Sequence, residues 1–133
     1  MLSPRRLLPM LAVAMVVAAC GTSTPSAVAT PTAPPGAMHV NLLDYSISPD
    51  HLAAPAGTVT FYVTNDGKTP HNFNVRMPQG PIASNTRIVA HSKDLNPGQS
   101  DTFTATFAAG TYTIFCAFPG HESLGMIGVL VVS

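Results

Sequence analysis

The sequence predicts an all-β domain, a small sandwich or barrel, and three observations carry that expectation. Apolar and polar residues alternate with a period of two. Val59, Phe61 and Val63 stand against Thr58, Thr60, Tyr62 and Thr64, and Phe103, Ala105 and Phe107 against Thr102, Thr104 and Thr106. Clusters rich in Gly and Pro punctuate the runs at 55–57, 65–67, 96–98 and 109–110. No window carries a convincing helical period; only Pro81–Asn85 offers a single turn of helix.

Taken in order, Val40–Ile47 is the first candidate strand and Thr58–Asn65 the first with clean alternation. His71–Met77 follows, then a weaker run at Arg87–His91 and the threonine-rich strand Asp101–Ala108. Thr111–Cys116 places Tyr112, Ile114 and Cys116 on one side. Met126–Val132 is nearly continuous in apolar residues, which predicts a strand buried on both faces. No internal repeat is visible.

The chain ahead of these strands reads as export machinery. Arg5 and Arg6 precede Leu7–Ala19, apolar apart from Pro9 and too short to span a hydrocarbon core of roughly 30 Å. The stretch closes on Val17-Ala18-Ala19-Cys20-Gly21, which resembles the bacterial lipobox, in which the cysteine is acylated and becomes the new N-terminus. The alternative is an ordinary signal peptide with Cys20 incidental. In residues 21–37 only Val28 falls outside Gly, Ser, Thr, Pro and Ala, and none is charged, so the segment cannot bury enough apolar area to offset its ordering entropy. It reads as a tether reaching at most on the order of 50 Å, at roughly 3.1 Å per residue. The expected division is a signal peptide over 1–19, acylated Cys20 and tether over 20–37, and a folded domain over 38–133. The domain is then lipid-anchored to a membrane, on the periplasmic or extracellular side of a bacterial cell.

Charge narrows the function. Only 9% of residues are Asp, Glu, Lys or Arg, and the formal net charge is zero, which excludes an electrostatic nucleic-acid binder. Beyond residue 37, Lys68, Arg76, Arg87 and Lys93 face Asp44, Asp50, Asp66, Asp94, Asp101 and Glu122, so long-range steering is weak. If Cys20 carries lipid, Cys116 is the only thiol left. An unpaired cysteine in an exported domain suggests an intermolecular bridge, a reactive thiol or a metal ligand.

Chemistry concentrates between the last two predicted strands. Cys116, His121 and Met126 are spaced C-x4-H-x4-M, with Pro119-Gly120 and Gly125 supplying bends. Thiolate, imidazole and thioether on one short loop form a soft, nitrogen-containing donor set that suits copper. A trigonal site needs a second histidine, and His71, within Thr69-Pro70-His71-Asn72-Phe73, is the best donor. With these residues assembled, positions 38–133 resemble the cupredoxins, the type 1 or blue copper proteins. The Pro70-His71-Asn72 triplet, the Gly110-Thr111-Tyr112 ahead of the cysteine strand and the Cys/His/Met loop carry the likeness. The loop departs from the plastocyanin spacing (C-x2-H-x4-M) and the azurin spacing (C-x4-H-x3-M) and matches the rusticyanin-like one.

The resemblance implies a Greek-key β-sandwich or barrel of about seven to eight strands around one copper ion. His71, Cys116 and His121 would form the trigonal plane and Met126 the long axial bond. Asn72 would tie the two ligand loops together, and Tyr112 would brace the cysteine strand as a tyrosine corner. Electrons would leave through the solvent edge of His121, with Phe118, Pro119 and Leu124 as an apolar docking patch for redox proteins of the envelope. The ligand set leaves no open position for substrate, so a monomeric electron carrier is expected rather than an enzyme. The competing reading is copper sequestration or delivery without redox turnover, although no Met/His-rich tract is present. His39, His51 and His91 are expected at the surface, Met77 in the core, and Glu122 solvated.

Overall fold

The structure is a computed structural model describing residues 31–77 and 87–133. Nine strands occur among the described residues: β1 (Met38–Leu43), β2 (Ser46–Ser48), β3 (His51–Ala54), β4 (Gly57–Asn65), β5 (Asn74–Arg76), β6 (Ile88–His91), β7 (Ser100–Phe107), β8 (Gly110–Phe115) and β9 (Ile127–Val132). They form two sheets, of order β2-β1-β4-β7 and β3-β9-β8-β5-β6. The pairings β1–β4 and β3–β9 are parallel and the rest antiparallel. Each sheet buries one face against the other, as expected for a β-sandwich.

The alternation in the sequence becomes this shared core. Phe61 on β4 is fully buried, its ring 5.4 Å from Phe73, 5.2 Å from Phe103 and 6.1 Å from Phe107, centroid to centroid. Val40, Leu42 and Val63 from one sheet meet Val75, Ile114 and Leu130 from the other, all without exposure. Tyr112 donates its hydroxyl proton to the Ala108 carbonyl 3.0 Å away, closing the corner where β8 begins.

Several elements differ from the sequence expectation. The run Val40–Ile47 is two strands, because Tyr45 adopts a left-handed φ of 62° and the chain reverses between Leu43 and Ser46. Strand β3 is additional, too short to announce itself and completed by its parallel partner β9. Of His71–Met77, only Asn74–Arg76 pairs as a strand. His71 instead makes an isolated bridge to Leu95, with N···O distances of 3.0 and 2.8 Å. Met126–Val132 is not buried on both faces: Leu130 and Val132 point inward, while Ile127 and Val131 are 42% and 47% exposed. Met77 is exposed rather than core, since it lies past the end of β5. The helical turn expected at Pro81–Asn85 falls outside the described residues, as does Cys20.

Of the segment expected to be a tether, residues 31–37 are described. They carry no strand, and the Pro31 carbonyl accepts the Tyr62 hydroxyl proton. No helix among the described residues is long and apolar enough to cross a membrane.

Candidate metal centre

Two ends of the sandwich's loops converge on one point. The first is the 65–71 segment, organised by Asn65, whose side chain is fully buried. Its amide donates to the Thr69 and Leu95 carbonyls at 2.9 and 2.7 Å, and its oxygen accepts from Gly67 N–H at 2.9 Å. Those bonds replace a ladder where the chain leaves β4, and they deliver His71 to the core with no exposure.

The second is the loop joining β8 to β9. Cys116 N–H donates to the Met126 carbonyl (3.1 Å), and Met126 N–H to that of His121 (3.1 Å), so the loop closes on itself. Between them, Glu122–Leu124 make one 3-10 turn that ends at Gly125, whose φ of 118° is open to glycine and strained for other residues. Cys116 and Met126 are fully buried, and His121 is half-buried at the rim.

His71 Nδ1 lies 3.1 Å from His121 Nδ1, which in turn is 3.5 Å from Cys116 Sγ. All three donor atoms fall within 4.8 Å of one another. Two ring nitrogens and a thiol facing one point, with a buried thioether residue hydrogen-bonded to the same loop, fit a metal that accepts soft and borderline donors together. Burial first, and then the closeness of the His71 imidazole, beside which a second proton would meet like charge, hold the His121 pKa below the ordinary histidine value and keep its lone pair available.

Asn72 Oδ1 accepts from Ala117 N–H at 2.8 Å, linking the His71 segment to the residue after Cys116, while its amide donates to Asp94. Phe118 lies with its ring centroid 5.6 Å from that of His121, and Pro119 and Leu124 are exposed beside it, Leu124 by 61%. Tyr45 joins this rim edge-on, 5.0 Å from the His121 ring. His39, His51 and His91 are exposed and lie outside the metal-binding group.

Two features escaped the sequence reading. Asp44, in the β1–β2 turn, places Oδ1 3.0 Å from His71 Nε2, the nitrogen turned away from the cluster. Hydrogen bonds from the Lys68 backbone first, and then from His71, hold its carboxyl well below the usual carboxylate range. Glu122 is not solvated but paired. Its oxygens lie 2.5 and 3.1 Å from the Arg76 guanidinium, which stacks 4.3 Å above the Phe115 ring on the outer face of β8. Among the described residues Arg76 Nε is buried without a partner, so the guanidinium depends on this carboxylate for its charge balance. Glu122→Ala is therefore expected to cost about 2 kcal/mol in urea unfolding. That is below the ~3–5 kcal/mol for breaking a fully buried pair because the Glu122 side chain is 38% exposed. A loss under about 0.5 kcal/mol would show the pair to be idle.

The fold and the converging donors define a cupredoxin, and the family model described as a cupredoxin-like domain matches residues 10–132. The chain belongs to that family. It is similar to the azurin of Bordetella pertussis strain Tohama I, 52% identical over 46 residues that cover 32% of this chain and 31% of that azurin. The azurin of Achromobacter denitrificans is 40% identical over 72 residues, covering 50% and 48% respectively. The chain thus spans less than a third of the first relative's length and about half of the second's. Among solved structures, dithionite-reduced auracyanin from Roseiflexus castenholzii superposes with a TM-score of 0.65 at 27% identity, over 74% of this chain and 97% of that one. Auracyanin A of Chloroflexus aurantiacus, described as a "blue" copper protein, gives 0.61 at 27% identity, over 74% and 100%.

Proposed function

We propose that this protein is a mononuclear type 1 copper protein that carries single electrons between redox partners in the cell envelope, as a monomer and not as an enzyme. The observation that carries the reading is the convergence of His71 Nδ1, His121 Nδ1 and Cys116 Sγ within 4.8 Å. His71, Cys116 and His121 would hold the ion, with the buried thioether residue Met126 on the same loop as a further soft donor. Bound copper supplies one-electron chemistry by passing between Cu(I) and Cu(II).

The chain's own contribution is rigidity. His71, Cys116 and Met126 are fully buried, and each has its backbone hydrogen-bonded, His71 to Leu95 of another segment and Cys116 and Met126 within their own closed loop. Ligands so placed move little when the charge at their centre changes, which keeps the reorganisation accompanying electron transfer small. His121 offers the route to solvent, and the apolar rim of Phe118, Pro119 and Leu124 is suited to brief contact with a redox protein. The likeness to auracyanin A and the azurins supports the same reading.

The test is a visible absorption spectrum of the mature chain titrated with Cu(II) and then treated with ascorbate. An intense blue or green band that bleaches reversibly is expected. A colourless complex, or binding of Cu(I) alone, would favour sequestration or delivery of copper.

The same proposal places the protein at a membrane through acylated Cys20, with residues 21–37 as the tether. Cys20→Ala is expected to move the protein from the membrane fraction to the soluble one. Continued membrane association would refute acylation there.

A further inference from the structure

The geometry points to Asp44 as the positioning residue for His71: its carboxylate fixes the imidazole as the Nε2–H tautomer, aims the Nδ1 lone pair at the metal, and lowers the reduction potential of the site. The inference rests on the copper reading above.

The arrangement is built from two segments far apart in the chain, the β1–β2 turn and residues 67–71. Asp44 Oδ1 lies 3.0 Å from His71 Nε2, and the His71 side chain is fully buried while that of Asp44 is 29% exposed. The carboxylate is itself immobilised. Lys68 N–H reaches both its oxygens at 3.0 and 2.9 Å, Thr69 N–H donates at 3.2 Å, and the Thr69 hydroxyl donates at 2.9 Å. That hydroxyl also lies 3.2 Å from His71 Nε2, where its oxygen can only accept while its proton is given to Asp44.

Both neighbours of Nε2 are therefore acceptors, and the ring nitrogen must carry the proton. The opposite tautomer would set a lone pair against a fixed carboxylate and protonate Nδ1, the atom 3.1 Å from His121 Nδ1. Gly67 makes the approach possible. A Cβ there would sit 2.6 Å from Asp44 Oδ1 and 2.9 Å from His71 Nε2, in the middle of the contact. A carboxylate behind a metal-bound imidazole raises the basicity of the ligand and favours the more highly charged metal state.

Three variants of the full mature chain separate this role from a merely structural one. Asp44→Ala removes the acceptor, Asp44→Asn keeps an acceptor oxygen without charge, and Gly67→Ala crowds the contact while changing neither partner. Ring ¹⁵N shifts of His71 in the metal-free protein report the tautomer. Cu(II) and Cu(I) titrations and the reduction potential report the effect on the metal.

The wild type is expected to hold His71 as the Nε2–H tautomer, and Asp44→Ala to mix the two. Cu(II) affinity is expected to fall about 10- to 100-fold in Asp44→Ala, the range typical of such outer partners. The potential is expected to rise in all three variants. Each tenfold excess of Cu(II) loss over Cu(I) loss corresponds to about 59 mV.

Wild-type ring shifts in Asp44→Ala, or a wild-type potential in Asp44→Asn, would overturn the inference and leave the copper reading intact. If Asp44→Ala fails to fold, the Asp44→Asn potential decides alone. A wild-type chain that shows no intense band with Cu(II) overturns both.

Discussion

Cys116→Ser is expected to leave the copper-treated protein without its intense visible absorption. The band of a type 1 site arises from charge transfer out of a thiolate sulfur, and Cys116 is the only cysteine among the described residues. A serine hydroxyl is a hard donor that stays protonated at neutral pH, so it supplies neither the colour nor the soft bond that matches copper's two oxidation states. The exchange is nearly isosteric. Residue 116 keeps its backbone bond to the Met126 carbonyl, and the hydroxyl can hydrogen-bond His121 Nδ1, which Sγ now approaches at 3.5 Å. Loss of colour can therefore be read as a ligand effect, provided far-ultraviolet circular dichroism is unchanged and the melting temperature falls by only a few degrees, as a cost of ~1 kcal/mol implies. Met126→Leu makes the contrast: on the copper reading proposed above the Met126 thioether is a weak donor, which tunes the potential rather than the colour. That variant should stay blue and shift its potential upward by on the order of 60 mV, tenfold in relative affinity. Retention of the band in Cys116→Ser would sink the ligand assignment.

What the sequence reveals about this site follows the distance over which the information is written. Cys116, His121 and Met126 lie on one loop, so their spacing alone announces a metal site, and the alternation around Phe61 similarly announces a buried strand. The residues that support the ligands lie far away in the chain. Asp44 reaches His71 only because β1 pairs in parallel with β4, which brings the turn after Leu43 alongside the 65–69 segment. Arg76 meets Glu122 across 46 residues, through the pairing of β5 with β8. A carboxylate read along the chain has no visible partner and looks solvated. Strand β3 was hidden for a related reason, since four residues of alternation say little until β9 is known to lie beside them. The apolar run of β9 misled in the opposite direction. Hydrophobicity on both sides of a strand does not oblige both sides to be buried, and Ile127 and Val131 are left facing outward.

Gly128→Ala is expected to be the most damaging small substitution in the fold. Gly128 pairs with Ile114 on β8, and on its other side the chain entering β3 passes close by. A Cβ at residue 128 would overlap the Asp50 carbonyl oxygen outright and sit 3.0 and 3.1 Å from the carbonyl carbon and Cα of the same residue. The obstacle is backbone, so no side chain can rotate away. The same Asp50 oxygen accepts the Val129 N–H at 2.8 Å, the first rung of the β3–β9 ladder. Relieving the overlap must therefore pull that ladder apart. The cost belongs at or beyond the upper end of overpacking, about 3 kcal/mol, against a total stability of roughly 5–15 kcal/mol for a domain of this size. At ~4–8 °C per kcal/mol, the metal-free protein should melt some 12–24 °C lower. The damage should reach the metal as well, because β9 begins at the residue after Met126. Copper should raise the melting temperature of Gly128→Ala by less than it raises that of the wild type, since stabilisation by a ligand scales with the logarithm of its concentration over Kd. Gly36→Ala is the control. It meets nothing within 4 Å and suffers only its left-handed φ of 76°, a cost of ~1–2 kcal/mol. Calorimetry of the three proteins with and without copper decides the matter. A Gly128→Ala melting temperature no lower than that of Gly36→Ala would mean that β3 yields easily, and that the contact with Asp50 does not hold the metal loop in place.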